Sequence, residues 1–120
     1  MNYRIEKGKA GEQLVARYLE QHGYTIIAQN FRQKFGEVDV IAQKDDTIAF
    51  VEVKWRHDPL IDPAEVIGRS KQKKITSIAK HFLSQHTEIE IVCRFDVALI
   101  EEYNNSIELR YIENAFNSFE

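Results

Sequence analysis

The chain lacks most of the features by which a sequence declares a special class. It has a single cysteine, Cys93, so no internal disulfide forms and a reducing compartment fits. With two prolines and five glycines there is no linker, low-complexity tract or internal repeat. No apolar run approaches the roughly 20 residues of a membrane-spanning helix. Met1 to Lys9 is charged and has no apolar centre, so it does not read as a secretory signal. Together these absences make the cytoplasm the expected location. A basic excess is missing too. The net charge is -3 and the pI about 5.8, so any contact with nucleic acid has to come from a local basic patch.

What remains is an ordinary globular composition, 43% hydrophobic and 29% charged. A chain of 120 residues suits a single domain, 1–120, which buries roughly two-thirds of its unfolded surface without staples. Leu14, Val15, Tyr18 and Leu19 recur at helical spacing, predicting a helix from about Ile5 to Gln21. Gly8 and Gly11 on one side would let it approach a sheet closely, and Gly23 sits where a helix ends. Glu12, about 20° from Leu19 on a helical wheel, faces partly inward. Tyr24 to Phe31 reads as a strand, followed by strands around Val38–Ala42 and Ile48–Trp55. Asp62-Pro63-Ala64-Glu65 has the cap, Pro and Glu of a helix start. Gly68 interrupts that short helix. A second helix from near Ser70 buries Ile75, Ile78, Ala79, Phe82 and Leu83. Ile91 to Ile100 alternates as a strand and makes Cys93 a buried small hydrophobe. Tyr103-Asn104-Asn105-Ser106 turns it into a last strand, Ile107 to Ile112, leaving a tail from Asn114. The order predicts an α/β three-layer domain with a mixed central sheet flanked by helices.

The informative stretch is Glu52-Val53-Lys54 within Ile48-Ala49-Phe50-Val51 and Trp55. A strand apolar on both faces is normally interior, where charges are rare. Residues i and i+2 share a side, so Glu52 and Lys54 point the same way. The preceding strand carries Asp39, and the turn falls in Lys44-Asp45-Asp46-Thr47. A two-residue or a four-residue loop there gives the same register, which sets Asp39 opposite Glu52 and Glu37 opposite Lys54. Two carboxylates ~5 Å apart repel by ~3 kcal/mol at an effective dielectric of ~20. A bound cation would turn that repulsion into shared coordination, and Mg²⁺ takes one or two carboxylates plus phosphate oxygens. Lys54 beside it would hold a phosphate or an attacking water. The competing reading of Glu-x-Lys is a weak ion pair on a solvated strand face.

Glu12, Asp39 and Glu52-x-Lys54, on a helix and two strands, resemble the PD-(D/E)xK nuclease superfamily and its restriction-endonuclease-like fold. More narrowly, the chain is similar to the YraN family of small bacterial nuclease-like proteins, related to archaeal Holliday-junction resolvases. The motifs that carry the resemblance run nearly end to end. They are Gly8-x-x-Gly11-Glu12, Gly23-Tyr24, Asn30-Phe31-Arg32, Gly36-Glu37-Val38-Asp39, Phe50-Val51-Glu52-Val53-Lys54, Lys71-Gln72-Lys73, Arg94-Phe95-Asp96-Val97 and Asn114-Ala115-Phe116. Val38 stands where the superfamily name has Pro. The resemblance implies a Mg²⁺- or Mn²⁺-dependent endonuclease acting on DNA, on branched or flapped structures. It implies Asp39 and Glu52 as metal ligands with the Val53 carbonyl, Glu12 as a direct or water-mediated ligand, and Lys54 as the residue that orients or activates the attacking water. It makes Gln72 an accessory residue.

For nucleic-acid contact the sequence offers Arg56, on the Lys54 side of its strand, and Lys71, Gln72, Lys73 and Lys74 at a helix start. The alternative for that cluster is a solvated helix face. Trp55 reads as core, Arg94 and Asp96 as a strand-face ion pair. His22, His57, His81 and His86 lack partners at metal-ligand spacing. A second reading of the whole chain is a binding module that keeps the nuclease fold without turnover, and a third is an RNA-directed nuclease. The acidic pI and small size leave room for a homodimer or another partner to supply more of the nucleic-acid surface. No membrane partner is expected.

Overall fold

In the computed structural model, which describes residues 3–56, 67–85 and 90–117, the run apolar on both faces becomes the middle of a five-stranded sheet. Helix α1 (Tyr3–Gln21) is followed by β1 (Thr25–Gln33), β2 (Gly36–Lys44) and β3 (Thr47–Arg56), then α2 (Arg69–Ser84), β4 (Val92–Tyr103) and β5 (Ser106–Ile112). The spatial order is β1-β2-β3-β4-β5, antiparallel except for the β3–β4 pair, which is parallel. A parallel pair needs a crossover, and α2 lies within it. The predicted helix start at Asp62-Pro63-Ala64-Glu65 lies outside the described residues, as do His57 and His86.

The two faces of the sheet carry separate cores. Val15 and Leu19 of α1 pack on Val40, Ala42, Ala49, Val51, Ala98 and Ile100. Ile75, Ile78, Ala79 and Phe82 of α2 pack on Ile41, Ile48, Phe50, Phe95, Val97 and Leu99. The domain is therefore a three-layer α/β arrangement with a mixed sheet, consistent with the restriction-endonuclease-like fold. Because β3 has strands on both sides and a helix over each face, alternate residues of Ile48 to Val51 are all fully buried.

Helix α1 stops where Gly23 takes a positive φ of 90°, while the amides of Gly23 and Tyr24 bond back to Glu20 and Leu19. Of the two small residues expected to bring α1 close to the sheet, only Gly11 does so. A Cβ there would fall 2.9 Å from Ile100 Cδ1 and from Trp55 Nε1, whereas at Gly8 it would meet nothing within 4 Å. Gly11→Val is expected to destabilise the protein by about 1–3 kcal/mol through overpacking, measurable as a lower denaturant midpoint at unchanged m-value. Gly8→Ala should be neutral or slightly stabilising. The residues after β5 are not a loose tail as far as they are described. The Ala115 amide bonds to the Phe95 carbonyl at 2.8 Å, and the Phe116 ring stacks on Phe95.

Candidate active site

The site begins where β2 turns over. The β2–β3 ladder runs from Lys44↔Thr47 through Val40↔Val51, the register that the turn predicts. It ends at that pair, one residue short of Asp39 and Glu52. Val40 belongs to the core under α1, yet Val38, two residues away, belongs to the core under α2. A regular strand would keep both on one face, so the pleat breaks at Asp39. On the facing strand Asn30 adopts φ 53°, an accessible left-handed conformation for Asn. The Asp39 carboxylate replaces the missing ladder bond by accepting from the Val53 amide at 2.8 Å. That bond fixes its direction. The expected pairing of Glu37 with Lys54 does not form; Glu37 instead pairs with Arg32 of β1, at 2.7 Å.

Asp39 and Glu52 face each other closely enough to share a proton. Glu52 is only 3% exposed. Burial, followed by the charge of Asp39, pushes its pKa up to about 8. Asp39 is raised as well, by burial, with the Val53 amide working against the shift. One oxygen of Glu52, Oε1, meets Lys71 Nζ at 2.5 Å. The other, Oε2, is buried with no hydrogen-bond donor. Two ionised carboxylates cannot satisfy each other; one proton or one cation between them can. Burial works to lower the pKa of Lys71, but contact with Glu52, aided by Asp39 and Glu37, prevails and raises it.

Glu12 reaches this region from α1 and is tied to Asn30 Nδ2 at 2.8 Å. Burial raises its pKa, the Asn30 bond opposes this, and Asp39 and Glu37 add to the rise. It therefore feels the carboxylate pair without joining it. No group of three or more Asp, Glu, His or Cys side chains is placed to hold a metal ion among the described residues. The three-carboxylate set expected from the resemblance is thus not assembled; two carboxylates and a lysine are. They still fit a hard divalent cation, because they offer buried oxygen donors, one of them orphaned, with an ammonium already drawn to the spot.

The other predicted residues divide. Lys54 is exposed and carries no ion pair among the described residues. Arg56 is not a surface contact: it is buried, 8% exposed, with Nη2 2.5 Å from Glu101 Oε1. Arg56 and Glu101 are partners in the parallel β3–β4 ladder. Gln72 donates to the Ile67 carbonyl at 2.8 Å and fastens the start of α2. Lys73 and Lys74 are exposed on α2, and Lys74 joins Lys71 in lining a groove against the β1–β2 turn. Trp55 packs in the core under α1, as expected.

Residues 11–100 match the sequence profile of the uncharacterised protein family UPF0102. The chain belongs to UPF0102. A UPF0102 protein of Desulfosudis oleivorans is 40% identical over 119 residues, covering 98% of this chain and 95% of that protein. One from Treponema pallidum is 42% identical over 114 residues, covering 91% and 90%, and one from Clostridium acetobutylicum is 41% identical over 119 residues, covering 95% and 98%.

A second buried carboxylate in this UPF0102 domain has the opposite character. Asp96 is fully buried but accepts from Arg94 Nε at 3.0 and 3.1 Å, Arg94 Nη2 at 2.9 Å, Tyr111 Oη at 2.6 Å and the Asn114 amide at 3.0 Å. Arg94 also bonds Tyr24 Oη. Burial and the adjacent Asp96 push the Tyr111 phenol far upward, so it stays a donor. The strand-face ion pair read from the sequence is therefore the centre of a satisfied structural network joining Tyr24 at the entry to β1, β4, β5 and the segment after it. Cys93 is half-buried, and burial and then Asp96 push its thiol up to about 11, so it is an inert thiol at neutral pH. His22 is bound to the Tyr18 carbonyl and stacked on its ring.

Proposed function

We propose that this protein is a divalent-metal-dependent endonuclease that hydrolyses phosphodiester bonds in nucleic acid, DNA in the first instance, as a member of the PD-(D/E)xK superfamily. The observation that carries the reading is the contrast between its buried carboxylates. Asp96 has a donor on every side, whereas Glu52 keeps an orphaned oxygen facing a second carboxylate. Stability alone would favour the first arrangement and remove the second. Asp39 and Glu52 would hold Mg²⁺ or Mn²⁺, which when bound supplies charge neutralisation and polarises the scissile phosphate. Asp39 keeps its aim through the Val53 amide. Lys54, exposed beside the pair, would orient the attacking water and offset charge on the phosphate oxygens. Lys71 would leave Glu52 and turn to the substrate phosphate.

Lys71 has the position of a built-in cation, so a metal must displace it. Lys71→Met is expected to raise Mn²⁺ affinity by up to about fivefold, the worth of one weak ion pair. Mn²⁺ titration followed by paramagnetic resonance reads this directly, and unchanged affinity would mean that Lys71 and the metal do not compete.

The same occupied state favours a second reading, a binding module of this fold without turnover. A panel of single-stranded, duplex, flap and four-way-junction DNA and RNA, assayed with Mg²⁺ and with Mn²⁺, separates the two. The nuclease reading expects cleavage that drops at least about a thousandfold in Asp39→Asn and Lys54→Ala. Cleavage at wild-type level in both variants would move the reaction elsewhere, and no cleavage of any substrate would leave the binding module.

A further inference from the structure

Next to the carboxylate pair a groove of about 730 Å³ runs between the β1–β2 turn and the start of α2. Arg32, Lys34, Lys71 and Lys74 line it, with Glu37 as the acidic member. Glu37 is already paired with Arg32 at 2.7 Å, and Lys71 links the groove to Glu52. In a chain of net charge -3, four cations converging on one groove mark a local anion-binding surface. The turn and the helix touch at its base, where a Cβ on Gly36 would come 3.1 Å from Lys74 Cβ. The cap position of α2, Gly68, makes no side-chain bond, and the first turn carries no acid. The positive end of the helix thus adds to the lysines rather than being neutralised.

Phe35 sits at the tip of the same turn. It is 43% exposed, set edge to face against His81 with centroids 5.9 Å apart. A single exposed aromatic is unremarkable on a protein surface. Flanked in the chain by Lys34 and Gly36, which line the groove, it offers what the lysines lack, a flat apolar surface for a base. Cations tracking a backbone and an aromatic for stacking are the chemistry of unpaired strands, because bases in a duplex already stack on each other.

We propose that this groove binds an unpaired nucleic-acid strand, its phosphates along Arg32, Lys34, Lys71 and Lys74 and a base stacked on Phe35. The proposal rests on the nucleic-acid reading of the neighbouring site and names the part of a substrate that site receives. It adds Arg32, Lys34 and Phe35 to the surface and leaves out Arg56 and Gln72, which are held inside the fold.

Fluorescence anisotropy on the full chain in EDTA tests it, using one labelled mixed-sequence DNA strand, its blunt duplex, and a salt series. Wild type should bind the single strand more tightly than the duplex. Phe35→Ala should lose roughly tenfold in single-strand affinity at unchanged salt slope. Lys34→Ala combined with Lys74→Ala should weaken binding to both and flatten the slope by about 1.4. All three side chains are exposed, and matching thermal melts verify that the variants fold. Single-strand affinity and slope that stay at wild-type values in both variants would overturn the proposal. So would the absence of strand binding together with a change in sedimentation on Phe35→Asp, which would make the face a protein contact. Binding lost in the groove variants while wild type cleaves nothing in Mg²⁺ or Mn²⁺ supports the groove and refutes only the nuclease reading. Cleavage by wild type with unaltered binding by the variants does the reverse.

Discussion

Raising the pH from about 5 to 9 should destabilise the metal-free protein, and Glu52→Gln should abolish most of that loss. Glu52 has a pKa of about 8 against an ordinary 4.5, so the folded state holds its proton more tightly than the unfolded chain. The stability this provides is complete below about pH 4.5 and disappears as the pH rises through 8. Asp39 is raised too and acts in the same sense. At its steepest the loss is about 1.4 kcal/mol per pH unit, which lowers Tm by roughly 3–6 °C per unit for a domain of this size. Gln at position 52 keeps the shape, carries no charge and gives Asp39 a donor, while half-exposed Lys71 can turn to solvent. Wild type and variant should therefore melt together near pH 5 and diverge by pH 9, with the variant the more stable. A variant that is less stable across the whole range would mean that Glu52 is a structural carboxylate like Asp96.

Asp96→Ala should be the most damaging single change in the molecule. It deletes the acceptor of Arg94, Tyr111 and the Asn114 amide at once. It also leaves a guanidinium that is 14% exposed without its close counter-ion, since Glu113 stands 3.8 Å away. Removing one member of a buried ion pair costs about 3–5 kcal/mol, a large part of the roughly 5–15 kcal/mol that holds a domain together. Urea unfolding checks this. A loss below about 1 kcal/mol would show that water or Glu113 replaces the carboxylate. Asp96→Asn, which keeps an acceptor, should fall between Ala and wild type.

The two carboxylates also show how far the sequence could be read. Glu52 was legible because the apolar run around it places it on an interior strand, and Asp39 because the hairpin register follows from the turn whatever the loop length. That register is found up to Val40↔Val51. The pleat break beyond it was not legible, since Asn30 gives no sign in sequence that it will adopt a left-handed backbone. The break sends Asp39 to the Val53 amide and Asn30 to Glu12. Arg56 was misplaced for a different reason. Its partner Glu101 follows from the parallel register between β3 and β4, set by a crossover of more than thirty residues that no local rule fixes. Lys71 lay in the charge run that the sequence offered for nucleic acid. Its contact with Glu52 depends on where α2 docks, and the apolar stripe of α2 fixes its buried face but not its position along the sheet. The tail after β5 looked unattached because the bonds that hold it, the Asn114 and Ala115 amides, are backbone groups without a side-chain signature.

Calorimetric titration with Mn²⁺ at pH 7, in two buffers of different ionisation enthalpy, reads whether Asp39 and Glu52 together hold a divalent ion. The expected result is one binding event that releases close to one proton, because burial and mutual repulsion leave the Asp39–Glu52 pair sharing a proton at that pH. Both the binding and the proton release should vanish in Asp39→Asn. No binding by wild type, or binding with the same proton count in Asp39→Asn and Glu52→Gln, would mean that the two carboxylates are not the metal's ligands.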